Sequence, residues 1–566
     1  VTTDPDVLLR AVERLRASAG EVRLPLDLDR APEARTARRE LEQQLDDYVL
    51  PRLRALDAPL LAVVGGSTGA GKSTLVNSVV GEEVSRPGIL RPTTRASVLV
   101  HHPDDARWFT GTRVLPGLAR VGGHATDVED PGAVRLVPSP ALPAGLALLD
   151  APDIDSVVQA NRQLSRQLLS AADLWVFVTT AARYADAVPW ELLHEAADRG
   201  TSVAVVLNRV PPEAMEQVRV HLATMLRDQG LGSSPIFTVP EDELDDGRVP
   251  ERHGSRLRGW LHSLAVDARA RSVVIRRTLD GTLGSLGSRA EALAAAGRQQ
   301  VDAWRVLERG PRTAYQDALE SVGQGVQDGS LLRGEVLARW HELVGTGEFL
   351  RSVEVGVGRV RDRVTAFFTG REVSSEPLGE ALQTGAAALI TSHGQVAAST
   401  AARSWRQSPG GRPLVEAHPE LGRATPGFTE QVERLIRDWQ RDILEMVTEE
   451  AGSRRTTARY LAFGVNGLGV LLMVVVFSAT AFIPTGAEVA VGAGSAVLAQ
   501  RLLEAVFGDQ AVRAMAIRAR ESLLGRVEEL YAAERARFDA TLGEVDVSED
   551  ALAELEAAAA AVEADR

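Results

Sequence analysis

The stretch Leu60-Leu61-Ala62-Val63-Val64-Gly65-Gly66-Ser67-Thr68-Gly69-Ala70-Gly71-Lys72-Ser73-Thr74 decides the fold of the region around it. Gly66 to Ser73 satisfy G-x-x-x-x-G-K-[ST] at every position. The apolar run Leu60 to Val64 suits a buried parallel strand, and Ser73 to Val80 reads as a helix. Strand, glycine-rich loop and helix in that order let the backbone from Gly66 through Ser67, Thr68, Gly69, Ala70, Gly71, Lys72, Ser73 and Thr74 wrap phosphates at the positive end of a helix dipole. Lys72 then stands as a compact charge between the β- and γ-phosphates, and the Ser73 hydroxyl faces Mg2+. A chance glycine-rich turn would explain the glycines but neither the strand nor the lysine. Of the 63 Lys and Arg residues, Lys72 is the single lysine. The planar fork of arginine is bulkier and cannot replace an ammonium there, whereas elsewhere arginine is tolerated.

Further elements follow at α/β spacing. Gly145 to Asp150 is an apolar strand ending in an acid, and Asp150 stands where a carboxylate holds Mg2+ through water. The blander reading is a strand-end aspartate capping the next helix. Ala151-Pro152-Asp153 follows, with Asp153 where D-x-x-G has glycine, so its carboxylate must point away or be paired. In Arg91-Pro92-Thr93-Thr94-Arg95, either Thr93 or Thr94 is the candidate to ligate Mg2+ and sense the γ-phosphate; an ordinary turn is the alternative. Strands are expected at Leu174–Val178 and Ser202–Leu207, preceded by helices near 161–171 and 189–199, which implies a mostly parallel sheet with helices on both faces. The second strand ends in Asn208-Arg209-Val210-Pro211. Asn208 and Arg209 are candidate nucleotide contacts. A guanine-reading loop has N/T-K-x-D, and here arginine and proline replace the lysine and the aspartate, so GTP and ATP both stay open.

Composition narrows the function. At 566 residues the chain exceeds one compact core. With no cysteine, disulfides, thiolate metal sites and cysteine nucleophiles are excluded. A net charge of −14 argues against nucleic-acid binding. Sparse aromatics, at 4%, favour long helices. No basic segment followed by an apolar one opens the chain, so no cleavable secretory signal is expected.

The set Val63 to Ser73, Arg91 to Thr94 and Asp150-Ala151-Pro152-Asp153-Ile154-Asp155-Ser156 resembles the dynamin-like branch of the GTPase superfamily, in its bacterial membrane-associated form. The resemblance covers a GTPase region of roughly 58–266. It implies a GTPase using GTP and Mg2+, self-association across the nucleotide face, a paralogous partner, and action on a lipid bilayer. Dynamins carry a glutamine that orients the attacking water, and Thr68 stands at that position. With that residue, the D-x-x-G glycine and the base-reading aspartate all changed, hydrolysis is expected to be slow or to need a second subunit.

Outside this region the pattern is helical. Residues 1–57 read as N-terminal helices joining a helical bundle, with Leu41, Leu45, Val49 and Leu53 on one stripe. Residues 267–459 read as a helical stalk, with stripes at Leu279, Leu283, Leu286, Ala290 and Leu293, and at Phe428, Val432, Leu435, Trp439 and Met446. Breaks are expected near 369–379 and 407–427. Tyr460 to Ile483 carries no charge and is long enough to span a bilayer; Val489 to Gln500 is apolar but short. Arginines flank both ends of 460–506, which suits a hairpin entered from the cytosolic side of the inner membrane. Burial of the hairpin in a soluble bundle is the other reading. Residues 507–566 return to the stalk, ending in an acidic, alanine-rich helix end or frayed tail. His101-His102 has no supporting metal cluster, and Asp153 and Asp155 are expected to pair with a switch arginine. The class expected is an α/β P-loop GTPase domain with an extended α-helical stalk and an apolar membrane hairpin. A slow nucleotide-switched membrane scaffold and a P-loop ATPase are the competing functions.

Overall fold

The computed structural model describes residues 5–85, 97–122, 132–155, 159–327, 376–452 and 509–566. They divide into two compact units: Val1–Leu24, Asp29–Gln299 and Val547–Arg566 form the first, Pro25–Leu28 and Gln300–Asp546 the second.

The first unit holds strands β1 (Leu60–Gly66), β2 (Ser97–His101), β3 (Ala119–Gly122), β4 (Ala133–Pro138), β5 (Leu146–Asp150), β6 (Leu174–Thr180), β7 (Ser202–Val210) and β8 (Ile236–Pro240). They form one sheet in the order β3-β4-β2-β5-β1-β6-β7-β8. Every pairing is parallel except β2 with β5. The helices are α1 (Pro5–Glu21), α2 (Ala31–Gln44), α3 (Leu50–Arg54), α4 (Lys72–Val80), α5 (Ala106–Phe109), α6 (Gln159–Ser170), α7 (Ala187–Asp198), α8 (Met215–Asp228), α9 (Glu251–Val266) and the first half of α10 (Ala268–Gln327).

Every residue of β1 is buried, as a central strand with apolar layers on both sides requires. Leu61 and Val63 face one layer, with Leu164 and Leu168 of α6, Leu193 of α7 and Leu222 and Leu226 of α8. Leu60, Ala62 and Val64 face the other, with Leu75, Val76 and Val79 of α4, Leu257 and Leu261 of α9 and Ile275 of α10. Each fully buried Leu or Val contributes about 1.5–3 kcal/mol, so the two layers together hold β1 rigidly. The mostly parallel sheet with helices on both faces agrees with the expected class.

One buried ion pair ties the start of β1 to its neighbours. Arg52 of α3 pairs with Asp173, which is fully buried just before β6. Arg52 also donates to the carbonyls of Ala58 (3.1 Å) and Pro59 (3.2 Å), while Leu61 N–H donates to Asp173 (2.8 Å). Between α2 and α3, residues Leu45–Val49 form one turn of π-helix that buries Tyr48.

The second unit contains the rest of α10, α11 (Glu376–Gln407), α12 (Gly411–Ala417), α13 (Phe428–Gly452) and α14 (Asp509–Gly543). Ala397, Ala398, Ala401 and Ala402 line α11 and let large side chains close over it. Aromatic polar atoms in this core find backbone partners: Trp405 Nε1 on Leu307 O (2.7 Å), Trp439 Nε1 on Ala519 O (2.9 Å) and Tyr531 Oη on Ile390 O (2.7 Å). The stripe Leu279, Leu283, Leu286, Ala290 and Leu293 is buried, as are Phe428, Val432 and Trp439. The expected break at 407–427 holds the short α12 and a 3-10 turn at Pro419–Gly422.

Of the two readings of the acidic, alanine-rich end, the helical one holds: it forms α15 (Glu549–Asp565), in the first unit. Ser548 caps it by accepting from Ala551 N–H (3.2 Å), and Leu552, Leu555 and Val562 are buried. Among the described residues no helix is long and apolar enough to cross a membrane. The candidate hairpin 460–506 lies outside the described residues.

Arg52→Ala leaves the Asp173 carboxylate buried without its partner. We expect a loss of about 3–5 kcal/mol in denaturant unfolding, the usual cost of breaking a buried pair.

Candidate functional site

The site begins where β1 ends. Val64 lies in register with Asp150 of β5, Ala151 N–H donates to Val64 O (3.1 Å), and Ile154 N–H reaches Gly66 O (3.4 Å). The segment after β5 is thereby laced against the loop that leaves β1. Gly66 lies against the backbone of Val178 in β6 so closely that a Cβ would collide with it. Gly71 is left-handed (φ +89°), and a Cβ there would lie 2.6 Å from Asn208 Nδ2. Two glycines of the motif are therefore required by contact with neighbouring strands, independent of any ligand.

Lys72 opens α4 and is buried at 6% exposure. Its ammonium donates to the carbonyls of Gly66 (3.0 Å) and Ser67 (3.2 Å) and pairs with Asp153. Asn208 donates to Ala70 O (2.8 Å) and accepts from Arg209 N–H (3.0 Å), bracing the loop from β7. Arg209 has a left-handed backbone (φ +51°) and an exposed side chain. Thr74 O accepts from Ser78 Oγ (2.6 Å) inside α4.

Asp150 is buried, and its Oδ2 accepts from Ser85 Oγ (2.6 Å). Burial pushes its pKa up, against the Ser73 and Ser85 hydroxyls and the Lys72 charge. Its Oδ1 makes no hydrogen bond among the described residues, and neither does the buried Ser67 hydroxyl. An unpaired carboxylate oxygen beside the Ser73 hydroxyl is the all-oxygen donor set that suits Mg2+. The residues present thus fit the ion that a P-loop nucleotide carries.

Thr68 is fully engaged. Its N–H and its hydroxyl both donate to Asp155 Oδ1 (2.6 Å each). Arg183, just after β6, pairs with Asp155 Oδ2 (2.7 Å), donates to Thr68 O (3.0 Å) and pairs with Asp186 (2.8 Å). Burial raises the Asp155 pKa, but the Thr68 and Arg183 hydrogen bonds outweigh it and hold the carboxyl below its ordinary range. Asp153 thus pairs with Lys72 and Asp155 with Arg183, while Arg91 and Arg95 of the expected switch lie outside the described residues.

The structure brings together Gly66 to Thr74, Asp150 and Asn208; Thr93 and Thr94 lie outside the described residues. Ser85 and Arg183 carry no motif signal in the sequence. Ser85 is placed by Asn77, whose Oδ1 accepts from Val84 N–H (3.0 Å) and Ser85 N–H (2.9 Å). His101 and His102 form no joint site. His101 is buried and stacks on Phe109 (5.4 Å between rings), while His102 accepts from Asp104 N–H (3.2 Å).

Sheet order, glycine-rich turn, a buried lysine at the first helical position and a strand-end aspartate define a P-loop nucleotide-binding domain. Residues 61–210 match the model of the Dynamin family. A probable transmembrane GTPase FZO-like, chloroplastic, from Arabidopsis thaliana is 25% identical over 128 residues, which are 23% of this chain and 12% of that protein. Among solved structures, one described as an oligomerised bacterial dynamin pair for long-range sensing and tethering of membranes aligns over 100% of this chain and 96% of its own, at 11% identity and TM-score 0.48. Toc33 from Arabidopsis thaliana, in complex with GDP and Mg2+, aligns over 40% of this chain and 93% of its own, at 15% identity and TM-score 0.24.

Asp155→Asn keeps the shape but removes the charge that Arg183 and Thr68 address. We expect a loss of about 1–2 kcal/mol at neutral pH, the scale of charge-assisted hydrogen bonds. The folded-state pKa lies below the ordinary 3.8, so the carboxylate's contribution is complete above that value and is lost as pH falls through the folded one. Unfolding curves of the two proteins should therefore converge in acid.

Proposed function

We propose that the chain is a dynamin-like GTPase that binds and hydrolyses GTP with Mg2+ and works on a membrane. The observation that carries the reading is the Lys72 ammonium, buried at the start of α4 within a loop that matches the phosphate-binding motif throughout. In this reading Gly66 to Thr74 wrap the phosphates and Lys72 bridges them. Ser73, Asp150 and one of Thr93 and Thr94 hold Mg2+, which would neutralise phosphate charge during transfer. Thr68 occupies the water-orienting position, but its hydroxyl and N–H are both held by Asp155. Turnover by one subunit is therefore slow, and apposition of two nucleotide faces, from this chain or a paralogous partner, supplies what is missing.

The apolar stretches within 460–506, flanked by arginines, anchor the protein in the inner membrane with the nucleotide domain in the cytosol. Nucleotide-driven association of the heads then moves the helical unit against the bilayer. Pro211 in place of a base-reading aspartate supports a second reading, an ATPase on the same site.

Turnover of GTP and of ATP, each with and without liposomes, separates these readings. We expect GTP hydrolysis that rises several-fold on lipid and is lost in Lys72→Ala. Preference for ATP, or turnover indifferent to lipid, would contradict the proposal.

A further inference from the structure

We infer that Asp153 is an internal competitor for the nucleotide's phosphates and thereby sets the affinity of the site. The inference rests on the phosphate-binding reading above and adds a regulatory residue to it. Lys72 carries three N–H donors and no acceptor. All three have partners: the Gly66 carbonyl at 3.0 Å, the Ser67 carbonyl at 3.2 Å and the Asp153 carboxylate. Two of these partners are backbone atoms of the loop itself, fixed by the sheet. A phosphate oxygen that reaches Lys72 must therefore displace the third, the carboxylate.

Asp153 is placed for that exchange. It lies three residues beyond β5, between Ala151, whose N–H is tied to Val64 O (3.1 Å), and Ile154, whose N–H is tied to Gly66 O (3.4 Å). The backbone on both sides is anchored, so a displaced carboxylate stays near the site. It then faces phosphate as a second anion, in a partly buried setting where its side chain is 26% exposed and charge repulsion is weakly screened. The cost has two parts: loss of the Lys72 pair before binding and repulsion after it. Asp150, the other carboxylate near Lys72, does not share this role, because its Oδ2 is held by Ser85 and no hydrogen bond joins it to the ammonium.

Removing the charge while keeping the shape tests this. Titrations of fluorescent GDP and of a non-hydrolysable GTP analogue, with Mg2+, compare wild type with Asp153→Asn, Asp153→Gly and Asp153→Glu; thermal unfolding verifies that each is folded. We expect Asn and Gly to tighten both nucleotides by about tenfold, the scale of one partly buried charge pair. Glu should stay within a few-fold of wild type, since it keeps the competing charge. Association rates should rise more than dissociation rates fall, because the pair is broken before phosphate seats. Measurable wild-type binding with no gain, or a loss, in both Asn and Gly would overturn the inference while leaving the nucleotide site standing. Binding by none of the four proteins would overturn the nucleotide reading, and this inference with it.

Discussion

A lysine ammonium is buried at the first position of a helix, where the helix dipole is positive and opposes it. Such a placement is stable only if anionic or strongly polar partners surround the charge. The rest of the site follows from that requirement. Gly66 and Ser67 turn their carbonyls onto the ammonium, and Asp153 supplies the counter-charge. The loop can adopt this shape because Gly66 nestles against Val178 and Gly71 against Asn208. The sheet fixes both neighbours, since β6 and β7 pair in register over Leu174–Thr180 and Ser202–Asn208.

The same logic connects the site to stability. Arg52 and Asp173 clamp the start of β1, and the Asp155–Arg183–Thr68 cluster clamps the loop that leaves its end. The strand that carries the phosphate loop is therefore held by one charged network at each end and by an apolar layer on each face. Asp155 and Asp153 are two residues apart and divide the work: one fixes the Thr68 backbone, the other answers Lys72.

Much of this is legible in the sequence. The P-loop, the strands around Asp150, Trp175 and Val205, and the helical stripes at Leu279 to Leu293 and Phe428 to Trp439 announce themselves by apolar periodicity and by one long motif. The edge strands are not: β3 and β8 are short and only partly buried, so alternation is weak over so few residues. The antiparallel pairing of β2 with β5 depends on how the chain crosses the sheet, which local pattern does not encode. The acidic, alanine-rich end leaves helix end and frayed tail both open because most of its apolar residues are small; Leu552, Leu555 and Val562 fall on one helical face and are buried. Ser85 and Arg183 join the site through contacts between residues far apart in sequence, with no spacing to betray them.

Nucleotide binding by Lys72→Arg tests the central claim most directly, because it keeps the positive charge and changes only its shape. Calorimetric titration of a non-hydrolysable GTP analogue with Mg2+ should show binding to the wild type and a loss of a hundredfold or more in the variant, about 2.7 kcal/mol. An arginine that binds nucleotide as well as the lysine would contradict the account, for then the buried ammonium would not be what the loop is built around.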